Sequence, residues 1–381
     1  MASATTSKKA SKKASTVWHW DLTASMKRPY PARMRALLDA AGAAEGFGEG
    51  DLTALKLHFG EAGTTAFLRP IWMEPIVAYL REQGALPFFT DASTLYVGRR
   101  GEGVSHAMLA QRHGFDPLAL GAPVLIADGV RGTNERGIAV GGRSVDTAWI
   151  AGDIADADAL VSLNHFKAHE LAGYGGALKN IGMGCASKKG KMHQHLTTGP
   201  TPDPEACTGC GVCVAKCAGG ALALDENQRI TVDVEKCVGC GGCFLACRHG
   251  GLVIDWKTDV DAFLARMMEY TKAVLSCFTR PCLHLNFVLD VVPDCDCPGF
   301  TDRPICPDLG ILASWDPVAV DQAAMDMVSA AAPLPGSRLP EGTKPGDNKF
   351  LALRPERPEH LGLDHAEALG LGSRSYEIVA V

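Results

Sequence analysis

The sequence carries the same cysteine spacing twice, thirty positions apart. The run CTGCGVCVAKC spans residues 207–217 and the run CVGCGGCFLAC spans residues 237–247, each with the spacing C-x2-C-x2-C-x3-C. Such a run folds around a 4Fe-4S cluster because its short turns aim three thiolates at one cubane. Zinc ribbons or a disulfide framework also use clustered cysteines, but the doubled run favours the iron-sulfur interpretation. We therefore expect two 4Fe-4S clusters.

The ligand sets of the two clusters are expected to cross, because the fourth cysteine of each run ligates the other cluster in two-cluster modules. The first predicted set is Cys207, Cys210, Cys213 and Cys247. The second predicted set is Cys237, Cys240, Cys243 and Cys217. Short apolar segments follow both runs, and DENQ between ALAL and RITVDV indicates a hairpin turn. The segment from Pro204 to Asp255 thus resembles the bacterial two-cluster ferredoxin fold.

The composition limits the classes of protein that this chain can belong to. With 381 residues, 46% of them hydrophobic, the chain is long enough for two or three globular domains. A net charge of −6 disfavours a nucleic-acid partner, and no apolar run approaches the ~20 residues of a membrane span. Fourteen cysteines without a secretion signal indicate a reducing compartment, so we expect a cytoplasmic protein.

Around the cysteine runs, strand-like segments alternate with helical ones. The segments LTALKLHFG, LPFFTDAS, PVLIADG and ADALVSLNHFK read as strands, as does LHLNFVLDVV after the runs. DVDAFLARMMEYTKAVLSC and DPVAVDQAAMDMVSAA read as helices, the second with Asp316 as N-cap and Pro317 at its first position. The predicted fold is therefore α/β, with a parallel or mixed sheet and flanking helices, plus an inserted two-cluster ferredoxin-type α+β module.

This alternation predicts how the chain is divided. The Lys/Ser-rich start has no apolar stretch and is expected to be a disordered tail. The predicted divisions are a tail at 1–16, the first part of the α/β domain at 17–200, the ferredoxin module at 201–256 and the second part of the α/β domain at 257–381.

Four stretches outside the cysteine runs carry a second resemblance. SLNHFKAHELAGYGGALKNIGMG, DCDC, DLGILASWDPVAVDQAAMDMV and HAEALGLG together resemble the iron-sulfur-centre proteins built on the domain of unknown function 362. The resemblance covers most of the chain after Leu52. It implies a soluble α/β scaffold commonly fused to two 4Fe-4S clusters, and it implies no reaction.

The polar segment after ADALVSL is the best candidate for a binding site. Ligands of open α/β sheets lie at the carboxyl ends of the strands, and His165 to Asn180 combines lysines, histidines and glycines there. We expect Lys167 and Lys179 to bind a small anion, such as a carboxylate or phosphate. His169 is the candidate proton carrier, because an ordinary imidazole has a pKa near neutrality. A solvated basic loop with flexible glycines is the alternative interpretation.

Six cysteines lie outside the two runs. Cys277 and Cys282 adjoin apolar segments and are expected to pack as small hydrophobic residues. The others form a candidate third iron or zinc site, consisting of Cys295, Cys297, Cys306 and Cys185. A metal-free loop with reduced cysteines explains the same pattern equally well.

Three functions remain open from the sequence. The first is electron transfer, in which the module relays electrons between a redox partner protein or small electron carrier and the anion site. The second is an oxidoreductase that reduces a small carboxylate or phosphate substrate. The third is a scaffold protein in which the clusters are only structural.

The crossed ligand sets generate a prediction. Cys217→Ala should damage mainly the cluster held by Cys237, Cys240 and Cys243, whereas Cys247→Ala should damage mainly the other cluster. Iron content and the electron paramagnetic resonance spectrum of each reduced variant distinguish the two clusters. Loss of only the uncrossed cluster in either variant would contradict the assignment.

Overall fold

A mostly parallel sheet of eight strands forms the centre of the structure, a computed structural model that describes residues 14–96, 98–195, 200–253 and 259–381. Residues 1–13 of the expected tail lie outside the described residues, as do the expected insertion points near Gly199 and Trp256. Ser15 and Thr16, assigned to the tail from sequence, belong to the first strand. Pairing with the last strand and a hydrogen bond from the Ser15 hydroxyl to Asp316 hold them there.

The strands of the described residues are numbered in chain order. They are β1 (Ser15–Trp20), β2 (Leu52–Lys56), β3 (Leu86–Asp91), β4 (Val124–Ile126), β5 (Glu135–Ala139), β6 (Thr147–Ala151), β7 (Ala159–His165), β8 (Lys167–His169), β9 (Gly173–Gly175), β10 (Thr201–Pro202), β11 (Leu222–Leu224), β12 (Ile230–Val232), β13 (Leu252–Val253), β14 (Leu283–Val288), β15 (Gly310–Ser314) and β16 (Tyr376–Ala380).

The α-helices are numbered in the same way. They are α1 (Tyr30–Ala40), α2 (Ala43–Gly46), α3 (Glu74–Glu82), α4 (Gly103–Arg112), α5 (Pro117–Leu120), α6 (Gly152–Ala155), α7 (Ala177–Gly182), α8 (Lys188–His195), α9 (Val212–Ala215), α10 (Gly242–Ala246), α11 (Val260–Leu275), α12 (Pro317–Ala330), α13 (Lys349–Leu353) and α14 (His360–Ala368).

The order of strands in the large sheet is β16-β1-β15-β14-β7-β2-β3-β4. The five strands from β14 to β4 are parallel to one another, and β15 joins them antiparallel. This confirms the expected α/β fold with a parallel or mixed sheet and flanking helices, and the sheet is mostly parallel. The central strands β7 and β14 come from opposite sides of the cysteine runs in sequence, so the chain leaves this sheet and later returns to it.

Hydrophobic side chains cover both faces of the sheet. Along β7, Val161 and Leu163 pack into one core with α1 and α3, whereas Leu160 points into a core on the opposite face. Successive side chains of a strand point to opposite faces, so a strand buried on both sides needs a continuous apolar run. This explains why ADALVSL lacks the apolar-polar alternation of a half-exposed strand.

The helix ends follow the expected local chemistry. Asp316 is the N-cap of α12, and its side chain accepts hydrogen bonds from the backbone N–H groups of Val318 and Ala319, with Pro317 beginning the helix. Both features confirm the sequence prediction. After α3 the chain turns at Gly84, whose φ of 82° is readily adopted only by glycine.

Residues 200–253 make their own small pairings. β11 pairs with β12 around the DENQ turn, as expected from sequence, and β10 pairs with β13. Leu222, Ile230 and Leu252 pack in a separate apolar cluster with the thiols of Cys207 and Cys213. Among the described residues, no helix has the length and apolar character that crossing a membrane requires.

The Asp316 cap generates a prediction. Its other carboxylate oxygen accepts from the Ser15 hydroxyl and the Ser373 backbone N–H, so Asp316→Ala removes a cap and two tertiary hydrogen bonds. We expect the free energy of unfolding to fall by about 2 kcal/mol. Asp259→Ala, which removes only the exposed cap of α11, should lower it by about 1 kcal/mol. Equal losses in urea denaturation would contradict this difference.

Candidate functional site

The carboxyl ends of three adjacent parallel strands meet at one cavity of about 490 Å³. β2 ends at Lys56, β3 ends at Asp91 and β7 ends at His165, and all three residues line the cavity. The chain changes direction where a strand ends, so side chains there are free to surround a ligand instead of packing under a helix. The cavity is therefore the main candidate site.

The residues proposed from sequence as an anion site lie together at this cavity. Lys167, His169 and Lys179 all line it, together with Asn180. They come from β8 and α7, which follow β7 in the chain with only β9 between them. Their partners differ, however, and the partners decide which of these groups remains available to a ligand.

A buried carboxylate, Asp296, holds two of the polar side chains in place. His165 Nδ1 is 2.9 Å from its Oδ1, and the Lys167 ammonium donates to its Oδ2 at 2.8 Å. Burial raises the pKa of Asp296, but His165 and Lys167 outweigh burial and hold that pKa well below its usual range. The charge of Lys167 is therefore already neutralised by a partner.

A second buried cluster neutralises Lys56. Its ammonium lies 2.9 Å from Asp91 Oδ1 and donates to Asn180 Oδ1 at 2.7 Å. Arg100, also buried, lies 3.6 Å from the other Asp91 oxygen and 3.5 Å from Glu61. These cations are thus matched by carboxylates.

Lys179 is different, because it makes no hydrogen bond or salt bridge with the described residues. Burial alone lowers the pKa of Lys179, but the nearby sulfurs of Cys297 and Cys295 and the carboxylate of Glu170 raise it above its ordinary value. Lys179 therefore remains a charged ammonium at the cavity wall. It is the group best placed to receive an anion.

His169 occupies the cavity as a neutral imidazole. Its Nδ1 accepts the backbone N–H groups of Leu171 and Ala172, each at 3.1 Å, so the ring proton is on Nε2. Burial lowers the pKa of His169 to about 3, and the Lys179 ammonium adds to the shift. The argument for a proton carrier from an ordinary pKa near neutrality therefore does not apply, although Nε2 can still donate a hydrogen bond.

The four cysteines proposed as a third metal site are separated. Cys295 and Cys297 line the cavity, whereas Cys185 and Cys306 pack in two different hydrophobic clusters. Burial raises the pKa of each of these two core thiols to about 12. A different ligand-like group occurs at the cavity, because donor atoms of His169, Glu170 and Cys295 lie within 4.8 Å of one another.

The first expected cluster set surrounds a single small cavity. Cys207, Cys210, Cys213 and Cys247 line this space of about 20 Å³, although Cys247 belongs to the second run. The second cysteine run packs against residues of the loop after β3 and of α8. A Cβ on Gly241 would lie 3.3 Å from Leu95 Cδ2 and 3.8 Å from Lys188 Cδ.

Sequence reasoning missed several residues of the site. Asp296 lies between the two cysteines of DCDC, and its role depends on contacts with His165 and Lys167 that the sequence does not show. His58 follows β2 by two residues and Arg100 follows β3 by nine, and both line the cavity. Polar residues after strand ends were a usable signal for His58, whereas Arg100 reaches the site through a loop without a recognisable pattern.

Comparison with known proteins identifies the class of this chain. Residues 53–326 match the family described as Domain of unknown function (DUF362), so the chain belongs to this family. No curated protein matches it. A similar solved structure is the lactate racemase apoprotein from Thermoanaerobacterium thermosaccharolyticum, with 12% identity and a TM-score of 0.38. The match covers 72% of this chain and 51% of that protein, so this chain corresponds to about half of its length.

The buried Asp296 generates a prediction. Asp296→Asn leaves Lys167 buried without its counter-charge, which should lower the free energy of unfolding at neutral pH by about 3–5 kcal/mol. Because the folded pKa of Asp296 is depressed, the loss should shrink as pH falls below about 4, where unfolded Asp takes up a proton.

Asp302→Asn is the matched control, because Asp302 pairs with Arg338 at the surface, 3.6 Å away. Its effect should stay below about 1 kcal/mol. Urea denaturation at several pH values measures both variants. A loss of similar size in the control would remove the special role of Asp296.

Proposed function

We propose that this chain is an iron-sulfur electron-transfer protein in which two 4Fe-4S clusters exchange electrons with an anion-binding site at the sheet's carboxyl edge. The observation that carries the proposal is the convergence of Cys247 with three cysteines of the other run around one cavity. Crossed ligation needs that convergence, whereas two independent zinc ribbons would keep each run's cysteines together. The ligand sets are those expected from sequence.

Contacts between residues 200–253 and the cavity support electron exchange. Leu95 lines the large cavity and also packs in the apolar cluster that contains Cys207 and Cys213. On α8, burial lowers the pKa of Lys188, and Asp128 and the sulfur of Cys240 partly oppose this shift. Lys191, one turn later on the same helix, lines the large cavity. A single short helix therefore touches both the second cysteine run and the cavity.

The unpaired Lys179 supports a small anion as the ligand. The cavity volume falls in the range of small-molecule sites, roughly 300–1,000 Å³. Lys56 and Lys167 are already paired with carboxylates, and Lys191 donates to backbone carbonyls. Among the described cavity lysines, Lys179 alone lacks such a partner, which suits a single carboxylate or phosphate group better than a polyanion. The neutral imidazole of His169 adds a hydrogen-bond donor on the same wall.

A reductive enzyme is the second candidate function. It is favoured by a cavity that combines a free cation with a hydrogen-bond donor, since these groups can orient a carboxylate or phosphate substrate for reduction. In that case the clusters supply electrons to a bound substrate. A redox partner protein or small electron carrier delivers electrons to the clusters in both cases.

The experiment begins with anaerobic purification or reconstitution of the full chain. We expect eight irons per chain and spectra of two cubane clusters. Carboxylates and phosphates are then added singly to the reduced protein, and the reoxidation rate is followed by absorbance. An effective anion should change this rate, and sustained turnover with a reduced product would favour the enzyme.

Lys179→Met should weaken the apparent affinity for the effective anion by at least about tenfold, because it removes a charged hydrogen-bond donor. Lys272→Met, which changes an exposed lysine of α11, is the control and should leave the affinity unchanged. Absence of cubane spectra would end the electron-transfer proposal. If no anion changes the reoxidation rate, only the anion-binding part of the proposal is wrong.

A further inference from the structure

The sulfur of Cys297 is surrounded by hydrogen-bond donors. His58 Nδ1 accepts the Gly60 backbone N–H at 3.0 Å, which leaves the ring proton on Nε2, and Nε2 lies 3.6 Å from Cys297 Sγ. The side chains of Tyr96 and Cys295 line the same cavity and both act on this sulfur. A sulfur that faces the fixed N–H donor of His58 acts as the acceptor, which is the role of a thiolate.

Two cations reinforce this environment. Lys179 and Arg100 line the same cavity, and both act on Cys297. The hydrogen bond from Cys295, followed by these cations, outweighs burial and holds the pKa of Cys297 well below its usual range. The same hydrogen bond and burial raise the pKa of Cys295 well above its usual range. The pair thus consists of one thiolate and one thiol.

We propose that Cys295 and Cys297 form a redox-active dithiol that interconverts with a disulfide at the wall of the cavity. Both cysteines line the same cavity, and one residue separates them in the chain. Asp296, the intervening residue, is anchored to β7 and β8 through His165 and Lys167. This anchor fixes the backbone between the two cysteines, so both sulfurs stay directed toward the cavity.

Reduction of the disulfide needs two electrons, which the two clusters would supply. The source of these electrons therefore depends on the proposed function. The S–S bond breaks and takes up two electrons, one from each of two reduced 4Fe-4S clusters. Cys295 takes up one proton and becomes a thiol, while Cys297 leaves as a thiolate. Glu170, whose side chain is 43% exposed, lies beside Cys295 and opens a path for that proton from solvent. Oxidation reverses each step.

The same geometry disfavours a metal at these sulfurs. His169 Nδ1 already accepts two backbone N–H groups, so ligation through Nε2 would require moving its proton and breaking those bonds. His58 is fixed in the same way by Gly60. Lys179 and Arg100 would repel a dication, whereas they stabilise a thiolate. Paired thiols therefore fit this wall better than a metal centre.

The test measures the thiol state of the full chain, purified anaerobically and equilibrated with mixtures of reduced and oxidised dithiothreitol. Acid quenching, alkylation and mass spectrometry then count the labels on the peptide that contains both cysteines. We expect two labels under reducing conditions and none under oxidising conditions, with the oxidised peptide lighter by two hydrogen atoms. The transition should follow a two-electron Nernst curve.

Variants assign the disulfide to its residues. Cys295→Ser and Cys297→Ser should each abolish the disulfide, and Cys306→Ser, which changes a core cysteine of the following loop, should retain it. A reductive titration with a photochemical electron donor should then consume two more electron equivalents per chain in the oxidised wild type than in Cys297→Ser. Equal consumption would show that the clusters do not reduce the pair, and would overturn the proposed step.

The thiol measurement is independent of the clusters. A chain with two intact clusters whose cysteines remain a dithiol throughout would overturn this inference and leave the proposed function standing. If the chain forms the disulfide but holds no cubane cluster, the proposed function is wrong and the redox-active dithiol stands. If stoichiometric zinc or iron protects both thiols from alkylation, the two cysteines form a metal site and the redox-active dithiol is wrong.

Discussion

The ion pairs of Asp296 hold the candidate site together. One carboxylate, buried in the loop after β14, binds His165 at the end of β7 and Lys167 at the start of β8. The same loop is also held at Asp294, which lies 2.7 Å from Arg354, and at Cys295, whose backbone N–H donates to Glu170, while Asp296 ties it to β7 and β8 at the cavity. A buried ion pair is a weak source of net stability but a strong determinant of position, because any other placement leaves a charge unpaired.

The charges around the cavity explain its chemistry. Paired cations, such as Lys56 and Lys167, fix the walls, and the unpaired Lys179 faces both the cavity and the sulfur of Cys297. An anion at Lys179 would therefore compete with the thiolate for the same positive charge. Binding of such an anion and protonation of Cys297 would thus be linked, since each would change the free energy of the other by the same amount.

The sequence predicted the features that depend on local chemistry. The parallel strands, the Asp316 cap and the DENQ hairpin follow from periodicity and side-chain hydrogen bonding, and the structure contains them. The cysteine spacing predicted clusters, but spacing alone could not exclude Cys185 and Cys306 from a further site, because both enter hydrophobic cores only through long-range packing. Asp296 acquires its role from contacts with His165 and Lys167, more than a hundred residues away, which no local pattern encodes. The place of His58 after a strand end was a local signal, but its contact with Cys297 was not.

The central pairing of β7 with β14 also determines when the site can form during synthesis. Val288, the last residue of β14, leaves the ribosome long after His165, and the cavity lacks the DCDC loop until then. The hairpin of β11 and β12 is complete much earlier, because its contacts are local. The cysteines of the two runs therefore leave the ribosome while the main sheet is still unfinished.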